Sequence, residues 1–216
     1  MDPGLALRPA QLFWGGVALE ASLVGVAALV GVLTLGEPFP FVLRFDAAGC
    51  RDGLLATLPI AAYMAFSLSP LGESFAAVRR IYDLLRDLIG RPLRDTPPWQ
   101  LVTLGVAAGI GEETLFRGVL QPWVAELTSP WTSIALTSVV FGLLHAVTPL
   151  YFVLASAISV YFGWLVLASD NLLVPAIAHG LYDVIGFVIL RRKFRRDPTL
   201  DPVPSFDLDP SAPPGP

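Results

Sequence analysis

Charged residues are scarce in this chain, and so are the residues that form disulfides. Of its 216 residues only 15% are charged and 54% are hydrophobic, and the mean hydropathy is +0.65. This composition excludes an ordinary soluble domain of this length and predicts an integral membrane protein in contact with the lipid bilayer. The single cysteine, Cys50, excludes an internal disulfide and a cysteine-rich metal site. We expect no nucleic-acid partner.

Six apolar stretches of the sequence are long enough to cross a membrane. A transmembrane helix needs about 20 mostly apolar residues to span roughly 30 Å of hydrocarbon. Stretches of this kind occupy residues 10–35, 53–69, 99–127, 131–148, 150–169 and 172–190. The first is too long for a cleaved signal peptide. The sequence therefore predicts an all-α integral membrane protein with about six transmembrane helices.

The segment 74–90, between the second and third predicted spans, has a different pattern. Apolar residues recur at spacings of three and four, whereas charged residues fill the opposite face. This periodicity predicts an amphipathic helix lying in the membrane interface. We interpret it as a connecting helix. Its apolar residues are Val78, Ile81, Tyr82, Leu85, Leu88 and Ile89, and its charged residues are Arg79, Arg80, Asp83, Arg86 and Asp87.

Basic residues are concentrated on one side of the six-span arrangement. Eleven of the fourteen fall there, against Arg44 and Arg51 on the other side and Arg117 within a span. Because flanking segments rich in lysine and arginine stay in the cytoplasm, we expect both termini to be cytoplasmic. The expected location is the inner (cell) membrane of a bacterium.

The chain is predicted to consist of one membrane domain and one tail. Residues 1–196 form the membrane domain, with a catalytic core at about 99–190. Residues 197–216 contain seven prolines and four aspartates and show no apolar periodicity. This composition is typical of a disordered segment, here a cytoplasmic tail.

Glu112, Glu113 and Arg117 stand inside the apolar stretch 99–127. A charge at the centre of a membrane helix costs roughly 2.5–3.5 kcal/mol even on lenient scales, so a cluster of three indicates a function. The only two histidines, His145 and His179, also lie in apolar segments. Together these residues indicate chemistry inside the membrane.

The predicted helices can bring these residues to one place. A turn at 128–130 makes the third and fourth spans an antiparallel hairpin. Glu112 lies seventeen residues before Ser129 and His145 sixteen after it, so both are expected at similar depth. His179 and Asp183, in the sixth span, start from the same side and lie somewhat shallower. We expect the three helices to converge on one buried polar site.

Spacing within the helices distinguishes the two glutamates. Glu113 and Arg117 are four residues apart and can form an intrahelical ion pair. Glu112 points about 100° away without an intrahelical partner, which makes it the better candidate for a general base. Asp183 lies four residues after His179, so it can orient the imidazole or face the same cavity. The alternative interpretation is a buried ion-pair network that only holds helices together.

Three motifs on successive apolar helices resemble those of the CPBP family of intramembrane endopeptidases, the CAAX-prenyl-protease and bacteriocin-processing group also called Abi. They are Glu112-Glu113-x-x-x-Arg117, Phe141-x-x-x-His145 and His179-x-x-x-Asp183, and the similarity covers about 101–189. The resemblance implies that Glu112 and His145 activate a water, that His179 and Asp183 stabilise the oxyanion, and that Glu113 and Arg117 support the site. It also implies a membrane-associated protein or peptide as substrate.

Position 183 departs from the family pattern. The prenyl-protease branch usually has asparagine there, whose amide can donate a hydrogen bond, whereas ionised Asp183 cannot. Asp183 is therefore either protonated or orients His179. Glu112, His145 and His179 could also hold a divalent metal such as zinc. We favour a water mechanism without a metal, and the sequence commits to no cofactor.

Two other functions fit the same residues. A small transporter could use buried Glu, His and Arg side chains as an ion or proton path, although no internal repeat is evident. A catalytically inactive helper or immunity protein would only bind a partner. A further acid, Glu20 in the first span, could be an additional site residue, but we expect it rather as a partner for Arg117 or as an interface residue. The sequence leaves the oligomeric state open.

Overall fold

The computed structural model describes residues 7–200, and this part of the chain contains helices and their connections but no strand. Its α-helices are α1 Pro9–Leu35, α2 Ala47–Ser67, α3 Pro70–Glu73, α4 Ala76–Asp95, α5 Pro98–Leu115, α6 Gln121–Leu127, α7 Pro130–Leu144, α8 Pro149–Ser169 and α9 Leu173–Phe194. A π-helical turn, Phe116–Leu120, joins α5 to α6, and a short 3-10 helix, Pro198–Leu200, follows α9. The all-α prediction is confirmed.

Three helices of the described chain are long and apolar enough to cross a membrane. They are α1, α8 and α9. The other predicted spans correspond to α2, to the continuous run from α5 to α6, and to α7, which is a shorter apolar helix. The count of six spans therefore stays a prediction.

Helix α7 ends earlier than the apolar stretch that predicts it. The span predicted at 131–148 becomes a helix of 15 residues, about 22 Å long at 1.5 Å per residue. Pro149 accounts for the last of the missing helical residues, because the residue before a proline, here Thr148, is driven from helical to extended backbone. Thr148 is extended and accepts a hydrogen bond from the backbone N–H of Tyr151 at 3.0 Å, which caps α8. His145 therefore stands at the end of α7.

Helix α2 also differs from its prediction, since it begins at Ala47 rather than near residue 53. Asp46 caps it by accepting a hydrogen bond from the backbone N–H of Gly49 at 2.6 Å. Caps of this kind supply partners for the free N–H groups of the first helical turn. The charged residues Arg51 and Asp52 are therefore included in the helix.

Two glycines let α5 approach α9 closely. A methyl group on Gly109 would lie 2.5 Å from the carbonyl oxygen of Ala176, and one on Gly105 would lie 2.6 Å from the Cγ2 atom of Val184. Such small-residue patterns allow membrane helices to pack by direct backbone contact. One turn beyond Gly109, the same face of α5 carries Glu113. The glycine pattern therefore places Glu113 directly against α9.

Helix α4 confirms the amphipathic segment and extends it to Asp95. The basic end of α9 contacts the region around it: Lys193 contacts Glu73, and Arg191 donates a hydrogen bond to the carbonyl of Thr96 at 2.8 Å. The segment predicted as a tail from residue 197 begins with the 3-10 helix, whose Leu200 is buried in a cluster with Leu93. Residues 201–216 of that predicted tail lie outside the described residues.

Candidate active site

Glu113 and Arg117 form a buried ion pair where α5 continues into the π-helical turn. The Nη1 atom of Arg117 donates to Oε1 of Glu113 at 2.9 Å, and the two side chains are 2% and 0% exposed. Nη2 donates to the hydroxyl of Ser159 on α8 at 2.8 Å and to its carbonyl at 2.9 Å. The Ser159 hydroxyl donates to that of Ser138 at 3.0 Å. The pair thus has the additional hydrogen bonds that stabilise buried charges.

His179 is held by the same glutamate. Its Nδ1 atom lies 2.7 Å from Oε1 of Glu113. Because a carboxylate paired with arginine only accepts hydrogen bonds, Nδ1 must be the donor. The ring stacks on Phe162 with 4.9 Å between centroids. Glu113 therefore fixes the tautomer and the orientation of His179, and the Nε2 atom is left to face the cavity.

His145 has a similar arrangement at the end of α7. Its Nδ1 atom lies 2.8 Å from the carbonyl oxygen of Phe141, which can only accept, so Nδ1 is again the donor. The imidazole stacks on the Phe141 ring with 4.3 Å between centroids. Its side chain is 32% exposed, against 6% for His179. In the neutral ring, Nε2 carries a lone pair.

Glu112 faces both histidines without a direct hydrogen bond to either. Its Oε1 atom is 3.7 Å from Nε2 of His145, and its Oε2 atom is 3.8 Å from Nε2 of His179. Both distances exceed the range of an N–H···O bond. The buried Oε2 atom has no hydrogen-bond partner within residues 7–200. The Glu112 carboxylate can therefore accept further hydrogen bonds, and its two oxygens face the Nε2 atoms of the two imidazoles.

Asp183 approaches the same edge of His179 as Glu112 does. Its Oδ2 atom is 3.6 Å from Nε2, and its side chain is 23% exposed. Since Nδ1 of His179 is already bound to Glu113, Asp183 does not occupy the position from which a carboxylate would orient that tautomer. The structure thus brings together all six site residues predicted from the sequence, with Glu113 rather than Asp183 at Nδ1.

A cavity of about 270 Å³ opens beside these residues. Glu112, His145, His179 and Asp183 contribute to its lining. Most of the remaining lining is apolar, and the apolar face of α4 supplies Val78, Ile81, Tyr82, Leu85 and Ile89. The amphipathic helix interpreted above as a connection therefore forms a wall of the cavity.

No metal-binding group of side chains is assembled among the described residues. Among residues 7–200, no group of three or more His, Cys, Asp or Glu side chains is arranged to hold a metal ion. Glu112, His145 and His179 have the donor chemistry of a zinc site but do not form such a group. The possible zinc site of Glu112, His145 and His179 considered from the sequence is therefore not assembled in the described chain.

Two further polar residues belong to the surroundings of the site. Sequence reasoning missed Ser159 as a partner of Arg117, although a hydroxyl in an apolar helix is itself a signal for a buried polar partner. Of the roles expected for Glu20, that of a partner for Arg117 is wrong, because the guanidinium binds Glu113 and Ser159. Glu20 is only 8% exposed and lies against Gly111, just before Glu112.

Comparison with known families supports the same region of the chain. Residues 94–185 match the family model described as type II CAAX prenyl endopeptidase Rce1-like. The match covers less than half of the chain and includes Glu112, His145 and Asp183. No curated protein and no solved structure gave a significant match. The Rce1-like family is a peptidase family, and the match to it confirms the resemblance to CPBP proteins indicated by the three motifs.

Proposed function

We propose that this protein is an intramembrane endopeptidase that hydrolyses a peptide bond of a membrane-associated protein or peptide precursor. One observation carries the proposal: the Glu112 carboxylate faces the Nε2 atoms of two oriented imidazoles at 3.7 and 3.8 Å beside a largely apolar cavity. A purely structural network would use these groups to bond one another. Here they are separated by distances that one bridging molecule can span.

In the proposed reaction, Glu112 and His145 bind and activate the attacking water. With Nδ1 of His145 donating to Phe141, Oε1 of Glu112 and Nε2 of His145 are both acceptors. A water between them donates one hydrogen to each and keeps a lone pair for the carbonyl carbon of the substrate. As the C–O bond forms, Glu112 takes a proton from the water. General-base catalysis of this kind contributes typically about a hundred- to ten-thousand-fold.

His179 is proposed to stabilise the oxyanion. Its Nδ1 hydrogen is used by Glu113, so donation to the oxyanion requires a second hydrogen on Nε2. The active form is then an imidazolium, with Glu113 as its counter-ion. Asp183, beside the same nitrogen, would repel the oxyanion if ionised. We therefore assign to Asp183 the acid form, which donates a second hydrogen bond.

Collapse of the tetrahedral intermediate completes the hydrolysis. The C–N bond breaks, and the proton held by Glu112 passes to the leaving nitrogen. The products are a new carboxyl terminus and a new amino terminus, and Glu112 is again a carboxylate. The apolar lining from α4 supports a substrate segment with hydrophobic side chains or a hydrophobic modification.

The test compares protein termini in membranes of cells that carry the native chain or the Glu112→Gln variant. The variant keeps the shape of the side chain but cannot accept the proton. We expect uncleaved precursors to accumulate with Glu112→Gln and with His145→Ala, while both variants remain folded in the membrane. Quantitative terminal proteomics identifies the precursors.

The matched control is Glu126→Gln, the same substitution at an exposed carboxyl. It should give the native set of termini. Identical termini in the native and Glu112→Gln strains, with equal amounts of folded protein, would contradict the endopeptidase proposal and favour a transporter.

A further inference from the structure

Glu20 is the one charged residue of α1, a helix of 27 residues. Its neighbours along the helix surface, such as Leu19, Leu29 and Leu33, are more than half exposed, as expected of side chains that face lipid. Glu20 instead shares the buried face of the helix with Phe13 and Ala27, each seven residues away. The rotation of α1 thus turns its only carboxyl group toward the protein interior.

The Glu20 carboxyl lies immediately beside the segment that carries Glu112. A methyl group added to Gly111 would be 2.7 Å from Oε2 of Glu20 and 2.6 Å from its backbone oxygen. Any residue larger than glycine at position 111 would therefore displace the Glu20 side chain. The absence of a side chain at Gly111 thus leaves room for the Glu20 carboxyl group beside the residue that precedes Glu112.

Neither carboxyl is hydrogen-bonded to the cation of the site, although Arg117 interacts electrostatically with Glu112. Arg117 is bonded to Glu113 and Ser159. Oε2 of Glu20 and Oε2 of Glu112 are buried and have no hydrogen-bond partner within the described chain. The titratable groups that interact electrostatically with Glu20 are Glu112, His179, Asp183 and His145. Neighbouring carboxyl groups in apolar surroundings do not all ionise, because like charges repel and burial disfavours each charge.

We propose that Glu20 exchanges a proton with Glu112, so that the two carboxyl groups titrate as a coupled pair. Glu20 is not among the residues that line the cavity, so it does not touch the substrate. It is a positioning residue that acts through Glu112. In the reaction proposed above, on which this role rests, the pair stores the proton taken from water until the leaving nitrogen accepts it.

Infrared spectroscopy tests the exchange without relying on peptide cleavage. The full-length protein in lipid bilayers is titrated with acid, and the carboxyl C=O bands are compared for native protein and for Glu20→Gln, Glu112→Gln and Glu126→Gln. We expect Glu20→Gln to shift the titration of the Glu112 band, and Glu112→Gln to shift that of Glu20. The exposed control, Glu126→Gln, should leave both unchanged.

Independent titration of Glu20 and Glu112 would overturn the proposal, whether or not the protein cleaves peptides. If Glu20→Gln does not fold, the titration of Glu20 in the Glu112→Gln variant still tests the proposal in a folded protein.

A second readout is the dependence of the cleavage rate on pH. Glu20→Gln should lower kcat by about tenfold with KM unchanged, a smaller loss than that caused by removing the base Glu112. It should also shift the low-pH side of the pH–rate profile. Glu20→Asp should restore part of the rate. An unchanged profile in Glu20→Gln would also overturn the role.

Discussion

Glu112 and Glu113 are neighbours in α5, yet the structure gives their carboxyl groups opposite surroundings. Glu113 is fully buried and accepts hydrogen bonds from Arg117 at 2.9 Å and from His179 at 2.7 Å. Glu112 is 14% exposed, lines the cavity, and lies 3.7 Å or more from the nearest ring nitrogen. Oε1 of Glu113 is bonded within the protein, although its Oε2 atom, like that of Glu112, has no partner among the described residues. Of the two carboxylates, only Glu112 lines the cavity and is available to a molecule there.

In the proposed function, this difference separates a group that holds the site, Glu113, from a group that reacts in it, Glu112. The hydrogen bonds of Glu113 to Arg117 and His179 keep these side chains in one geometry. An acceptor that has no partner in a buried site is expensive. Because Glu112 lines the cavity, a substrate or water there can supply its partner. Substitution of Glu113 should therefore lower mainly the stability of the protein, whereas substitution of Glu112 should lower mainly the reaction rate.

The largest effect on stability is expected from Glu113→Ala. It leaves Arg117 buried without a counter-charge, and breaking such a pair costs about 3–5 kcal/mol in soluble proteins. Loss of folded protein, measured as the amount in membranes and as thermal unfolding in detergent, should accompany loss of activity. The paired variant is Glu112→Ala, which should remain close to native stability. Normal accumulation of an inactive Glu113→Ala protein would place Glu113 among the reacting groups.

A smaller destabilisation is expected from Gly109→Ala. The new methyl group would lie 2.5 Å from the Ala176 carbonyl oxygen, and overpacking of this kind costs typically about 1–3 kcal/mol. Separation of α5 from α9 would also lengthen the Glu113–His179 hydrogen bond and lower kcat. Gly25→Ala in α1 is the control, because its methyl group would meet no atom within 4 Å. Equal unfolding temperatures for the two variants would refute the packing role.

Removal of the Ser159 hydroxyl should likewise have a milder effect than Glu113→Ala. Arg117 would keep its bond to the Ser159 carbonyl but lose its bond to the hydroxyl, and Ser138 would lose a donor. Ser159→Ala should therefore cost about 1.5–3 kcal/mol, the usual contribution of a hydrogen bond to a charged group. The measurement is the free energy of unfolding alongside kcat and KM. Ser22→Ala, at an exposed serine of α1, provides the comparison. A loss as large as that of Glu113→Ala would show that the hydroxyl, not the carbonyl, holds Arg117.

The smallest effect is expected from Asp183→Asn. If position 183 donates a hydrogen bond to the oxyanion, an amide can do so at every pH, and activity should stay near native or rise at neutral pH. The native enzyme alone should then lose activity as rising pH ionises Asp183. The pH–rate profiles of both proteins check this. A steep drop at neutral pH would mean that Asp183 orients His179 as an ionised acceptor.

The helices and the local contacts were predictable because they depend on neighbouring residues. Ser129 and Pro130 mark the start of α7 as expected, since Ser129 accepts a hydrogen bond from the backbone N–H of Thr132 at 3.2 Å. The Glu113–Arg117 pair follows from helical spacing alone. The resemblance of three short motifs sufficed to select the family.

Contacts between helices could not be read from spacing. The bond from His179 to Glu113 depends on how closely α5 approaches α9, and i,i+4 spacing instead favoured Asp183 as its partner. The inward position of Glu20 depends on the rotation of α1 about its axis, which an almost uniformly apolar sequence does not specify. The break between α7 and α8 at Thr148 depends on Pro149, which a count of apolar residues ignores.

The Nδ1 bonds of the two histidines have a consequence for the energetics of turnover. His145 is tied to a backbone carbonyl and His179 to a carboxylate, and neither partner belongs to a substrate. The rotation of both rings and the tautomer of neutral His145 are thus set during folding, and no binding energy is needed to select them. Such preorganised dipoles avoid reorganisation when charge develops in the transition state. The entropy of aligning the imidazoles is lost once, when the protein folds, rather than in every catalytic cycle.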